Sequence, residues 1–316
     1  MMASRRSWHS LKEFLFPLET DAWLACLRIG TGLQVVFYTL SLRGDWMDVF
    51  ALNANGLVNR EIAEAITASD NSLAPRISWL TDVAAQLGIT ESTALWVTWW
   101  LLLAAGVFIV IGFFSRSAAI IAWFLHLCAV GSGELLLYGA DIFTTIALFY
   151  LMVAPLPDSW TIDALWHRVK DRDRRLLGLC RRVLQLHLCL VYFFGGLAKC
   201  LGPGWWNGVS VWRALTRPPF NVISPDTLVS WQWFLPIASI AICVLETGYV
   251  FFIWRKQTRL LWLTCIVGMH IGIALTMGLY LFSFIMIVLN VAAFGAGLIR
   301  LPFATRRAAP AVHPTA

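Results

Sequence analysis

Lys199 is an amine placed where amines are rare. It lies near the end of a long apolar run, in Tyr-Phe-Phe-Gly-Gly-Leu-Ala-Lys-Cys-Leu-Gly-Pro-Gly-Trp-Trp-Asn-Gly (Tyr192–Gly208). A lysine at membrane depth costs about 3 kcal/mol on insertion scales, so it needs a partner, a wet cavity or a route to the interface. An amine in a dry pocket gives up its charge more readily and can serve as a base near neutral pH. Glu134, Tyr138, Asp141 and His270 fall toward the same face of their apolar runs. Together they would form an acid–base set, with Lys199, Glu134 and His270 in catalytic roles. Tyr138, Asp141, Trp205 and Trp206 would then bind the substrate. Two plainer readings stand beside this one. Lys199 snorkels to the headgroups from a helix end, or Glu134 and Asp141 sit in a wet loop and merely neutralise it.

A second charged pair is expected toward the opposite face. Arg28 in the first apolar run and Glu246 in the sixth have similar depth and opposite charge. They are read as a structural ion pair, with Glu19 and Asp21 as competing partners for Arg28. His126 and His187 read as hydrogen-bonded packing residues. The seven cysteines are odd in number, with no Cys-x-x-Cys spacing, and no His-x-x-x-His pattern occurs. Neither a disulfide framework nor a metal site is expected. Of the cysteines only Cys200, beside Lys199, is kept as a functional candidate.

These residues need elements that hold them at depth. The 316 residues are 59% hydrophobic and only 13% charged, with 17 tryptophans. Soluble domains carry about 25% charge, so a soluble globular chain is excluded. The expectation is an all-α, polytopic helical membrane protein with about eight transmembrane helices. The runs are 21–42, 93–113, 117–136, 139–155, 183–201, 229–253, 258–277 and 279–299. Residues 1–18 form an interfacial helix, 19–300 the transmembrane domain and 301–316 a disordered tail. Residues 43–92 hold a helix around Val58–Ala68. Residues 202–228, rich in Trp and Pro, form an outward capping or re-entrant loop. Asp163–Arg182 lies along the inner surface as an amphipathic helix.

Lysines and arginines concentrate in alternate connections, while residues 43–92 are acidic. The positive-inside rule then places both termini in the cytoplasm and the protein in the cell (inner) membrane. The net charge of +6 belongs to those loops and is no nucleic-acid signal. Membrane lipids are the expected partners.

The stretch Tyr192–Gly208 resembles the signature of the HTTM family, the membrane domain shared with vitamin K-dependent gamma-carboxylase. Three further pieces, in order, carry the same resemblance: Leu27–Leu33 (Leu-Arg-Ile-Gly-Thr-Gly-Leu), Ile111–Arg116 (Ile-Gly-Phe-Phe-Ser-Arg), and His270 with Met277–Phe284. It covers about residues 15–300. It implies a helical membrane fold and, for Lys199, the part of the base that deprotonates reduced vitamin K in the carboxylase. A quinol cofactor is implied by the resemblance alone. The position matching a carboxylase histidine, before Tyr138-Gly139, holds Glu134. One branch of the family takes part in maturing a secreted peptide, so a peptide or protein substrate is also implied. Two functions follow. One is an enzyme, a carboxylase-like membrane lyase, acting on a lipophilic or quinone-like substrate. The other is a non-catalytic membrane protein that binds a lipid or assists maturation or export of a secreted peptide.

Overall fold

A computed structural model describes residues 2–52, 59–133, 136–158, 160–166 and 173–296. The tail 301–316 lies outside the described residues. Every regular element among those described is helical. In the first half these are α1 (Met2–Leu15), α2 (Ala22–Ser41), α3 (Trp46–Phe50), α4 (Arg60–Asp70), α5 (Ile77–Gln86), α6 (Glu91–Ile111), α7 (Ser115–Ser132), α8 (Gly139–Val153) and α9 (Asp163–Trp166). In the second they are α10 (Arg174–Leu201), α11 (Pro203–Trp206), α12 (Val209–Thr216), α13 (Pro225–Ser230), α14 (Phe234–Phe252), α15 (Lys256–Met277) and α16 (Tyr280–Asn290), which runs on into a π-helical turn, Val291–Gly295. Among the described residues six helices (α2, α6, α7, α10, α14 and α15) are long and apolar enough to cross a membrane. The other two expected spans are shorter apolar helices, Gly139–Val153 and Tyr280–Gly295.

Local chemistry sets the ends of the long helices. Thr90 caps α6, its hydroxyl accepting the Thr93 N–H. The same helix stops at Gly112, whose φ of 73° suits glycine. The α15–α16 hairpin turns at Gly278, with φ 70°. The acidic segment 43–92 folds as α3–α5. Its helix α4 matches the expected one, and α5 was not expected. Buried Arg60 ties this segment down, bonding the Phe50 carbonyl at 2.7 Å and Glu91 at 2.9 Å. Glu64 accepts from Ser132 of α7 at 2.6 Å.

Arg28 is a fully buried charge, with no exposed surface. Its Nε donates to Asp158 Oδ2 at 2.6 Å, and one terminal nitrogen donates to the Ile109 and Val110 carbonyls at 2.6 Å each. The other reaches the Trp160 carbonyl at 2.9 Å. The guanidinium therefore ties α2 to the last turn of α6 and to the loop after α8. This corrects the expected Arg28–Glu246 pair, because Glu246 bonds Lys199 instead. The reading by depth passed over Asp158, which stands in a connection taken as exposed and basic but is fully buried.

Arg174–Arg182 is likewise no surface helix. It forms the first turns of α10. Its Arg181 bonds Glu19 at 2.8 Å and the Ala293 carbonyl in the π turn at 2.9 Å. Arg182 lies 4.4 Å from the Phe14 ring centre, so α1 docks on the N-terminal end of α10.

Breaking a buried pair leaves an uncompensated charge, at a cost of about 3–5 kcal/mol. Arg28→Met should therefore sharply lower folded yield and thermal stability in detergent, and Asp158→Asn should do the same. The double variant Arg28→Met/Asp158→Leu should recover part of the loss in the same melting measurement.

Candidate functional site

The site begins at a close helix crossing. A Cβ added at Gly196 of α10 would lie 2.6 Å from the Thr247 backbone nitrogen of α14. Only glycine allows that approach. One helical turn later the Lys199 amine meets Glu246 Oε2 at 2.5 Å. The lysine side chain is 27% exposed and the glutamate 10%. The amine also stands 5.5 Å from the centre of the Trp205 ring, within cation–π range. Gly195 leaves the space beside the pair open, since a Cβ there would be 3.6 Å from Glu246 Oε2 and 3.8 Å from Lys199 Nζ. Lys199 is thus turned into the bundle against a carboxylate.

Its depth differs from the sequence-based expectation. Glu246 lies about 18 Å along α14 from Phe234, at 1.5 Å per residue. Gly208 already packs against Leu235 and Pro236 at the start of α14. The chain from Lys199 to Gly208 therefore runs back along α14 toward its start. So α10 ends against the middle of its neighbour, well short of the Phe234 end of α14. Counting depth from the ends of apolar runs assumed that every run ends at an interface. Trp205 and Trp206 then part company. Trp205 faces the amine, while Trp206 donates to the Cys200 carbonyl at 2.8 Å and closes the end of α10.

Behind the pair, four helices share a buried hydrogen-bond chain. Tyr192 of α10 and His270 Nε2 of α15 are 2.8 Å apart. Asn290 of α16 donates to the Tyr192 oxygen at 2.7 Å and to the Met286 carbonyl at 2.8 Å. Tyr249 of α14 donates to Asn290 Oδ1 at 2.7 Å. Tyr192 lies two turns before Lys199 on the same face, and Tyr249 one turn after Glu246. His270 thus joins the site through Tyr192 and makes no hydrogen bond to Lys199. The amide of Asn290, deep in an apolar run, was the signal in the sequence for this chain.

Tyr138 and Asp141 are elsewhere. Asp141 Oδ2 accepts the Tyr138 N–H at 3.1 Å at the start of α8. The Asp141 carbonyl lies 3.2 Å from His126 Nε2. Phe282 stands between this end of α8 and His270. Its ring centre is 5.6 Å from the imidazole, and its edge lies where a Gly139 Cβ would be. Among the described residues no hydrogen bond or ion pair joins Asp141 or Tyr138 to Lys199. The expected single cavity is two places. Glu134 lies outside the described residues.

A family model for the HTTM domain matches residues 82–295. The chain belongs to the HTTM family. The match runs from within α5 to Gly295 at the end of the π turn, and so contains Lys199, Glu246 and the whole His270–Tyr192–Asn290–Tyr249 chain. The HTTM domain and the apolar helices make this an integral membrane protein. No curated protein and no solved structure matches it.

The glycine crossing gives a direct test of how this HTTM site is held. Gly196→Val forces α10 from α14 and should cost about 1–3 kcal/mol by overpacking. Gly268→Ala, where a Cβ meets nothing within 4 Å, should hold or slightly raise the melting temperature, since alanine is the better helix former.

Proposed function

We propose that this HTTM protein is a membrane enzyme acting on a lipophilic, weakly acidic substrate of the quinol type, with Lys199 as its base. The reading rests on one observation: an amine turned into the bundle, held by a carboxylate, and still 27% exposed on one side. A quinol such as reduced vitamin K would supply an acidic hydroxyl. Lys199 Nζ takes that proton, and Glu246 stabilises the ammonium so formed. Trp205 offers a flat apolar wall beside the amine for a ring-shaped head. Tyr192 and His270 keep the inner side of the site ordered by hydrogen bonds. A lyase reaction related to gamma-carboxylation is the chemistry that the family likeness adds.

The second reading makes Lys199 an electrostatic anchor for an anionic headgroup, in a protein that binds a lipid or assists maturation or export of a secreted peptide. It is favoured by the Glu246 contact, which supplies a counter-ion beside the amine. Lys199→Arg separates the two, because it keeps the charge and removes accessible base chemistry. On the enzyme reading, quinones that co-purify with the parent protein still co-purify with Lys199→Arg, by mass spectrometry, while turnover is lost. Full function in Lys199→Arg, with phospholipid as the bound species, would overturn the base and leave the anchor.

We also propose the cell membrane as the location, with both termini cytoplasmic. In a variant freed of native cysteines, Leu73→Cys should react with an impermeant maleimide on intact cells. Asp173→Cys should react only after lysis, and the reverse pattern would invert the topology.

A further inference from the structure

A polar stripe runs along one face of α2, formed by Arg28, Thr31, Gln34 and Tyr38. Arg28 is fully bonded, as described above, but the other three are not. Thr31 Oγ1 and Gln34 Oε1 are buried without a hydrogen-bond partner among the described residues. The facing helix α7 adds His126, fully buried, whose Nδ1 is also without a partner. Its ring lies edge-on to Tyr38, with centres 4.8 Å apart. The third helix, α8, adds Asp141, only 4% exposed. One of its oxygens accepts the Tyr138 N–H. No cation lies within ion-pair distance of it among the described residues.

Tyr38 and Asp141 line a cavity of about 80 Å³ at the outer ends of α2, α7 and α8. Phe50 and Tyr138 form part of its wall, and Leu42 and Val49 much of the rest. The Tyr38 hydroxyl makes no hydrogen bond among the described residues. A core built for stability alone would not look like this. Each unpartnered buried polar group costs about 1–3 kcal/mol, and an unpaired carboxylate at membrane depth costs more. Thr31, Gln34 and His126 stand outside the cavity lining, but Asp141 and Tyr38 line it, and they suit something that brings positive charge and hydrogen-bond donors. A hydrated metal ion suits the cavity poorly, because one carboxylate and one hydroxyl are few oxygens for a hard cation. An ammonium on a small apolar body suits it well. Its N–H groups can donate to Asp141 and Tyr38, its charge can lie against aromatic rings, and its carbon atoms match the leucine and valine wall.

We propose that the cavity between α2, α7 and α8 binds an organic ammonium group, with Asp141 as its counter-ion. The site is independent of Lys199, which lies on other helices. Two sources carry this chemistry, a small free amine and the amine headgroup of a membrane lipid.

The test uses the full chain in nanodiscs of phosphatidylglycerol. Ethanolamine is titrated in by calorimetry, and thermal unfolding is compared with discs containing phosphatidylethanolamine. Ethanolamine binding to the parent protein, weakened about tenfold or more by Asp141→Asn, a loss of about 1.4 kcal/mol, supports the site and assigns a free amine. Stabilisation by phosphatidylethanolamine alone, lost in Asp141→Asn, supports it and assigns the lipid head. Tyr38→Phe breaks no hydrogen bond among the described residues, so it should fold even if Asp141→Asn does not, and it should weaken binding to a smaller degree. The proposal is overturned if neither probe binds or stabilises, or if both variants respond as the parent does.

Discussion

A fully buried guanidinium in a membrane bundle must have its donors met, and Arg28 meets them by fastening three separate pieces of chain. Its contacts to Asp158, to the last carbonyls of α6 and to Trp160 hold α2, α6 and the loop after α8 in one arrangement. That loop supplies Asp163, whose carboxylate accepts the Phe114 and Ser115 N–H groups at the start of α7. The α6–α7 turn, with Gly112 and Phe114 both at positive φ, is thus fixed by groups that Arg28 places. Lipid cannot hydrogen-bond these carbonyls and amides, so protein groups must. The first half of the bundle depends on that closure.

The second half is organised by steric approach rather than charge. Gly196 lets α10 touch the α14 backbone, and this closeness brings Lys199 to Glu246. The buried His270–Tyr192–Asn290–Tyr249 chain then fixes α15 and α16 against the same pair. Bonds that join four helices in this way favour one packing over the several that an apolar core would tolerate. The base proposed for Lys199 therefore sits on rigid helices, with its open side toward Trp205. The two halves meet where α16 packs on α2 and α8, with Val288 filling the place of a Gly30 side chain.

The sequence by itself determined the class, the helical spans in outline and the placing of Lys199 within an apolar run. Long apolar runs admit few other structures in a bilayer, and a lysine inside one is conspicuous for the same energetic reason. The Gly-Gly pair before Lys199 permits a close helix contact, and the runs 258–277 and 279–299 leave room for only a tight turn between them. Partners were another matter. Periodicity and run length give approximate depth but no angle about a helix axis, so Arg28 and Glu246 looked like a pair. The tertiary structure alone decided that Asp158 folds back into the bundle and that α10 ends against the middle of α14. It alone decided that His270 belongs with Tyr192 while Asp141 belongs with Tyr38. Each of these choices depends on which helix faces stand opposite each other, and that is settled by packing across the whole bundle rather than by any local stretch of residues.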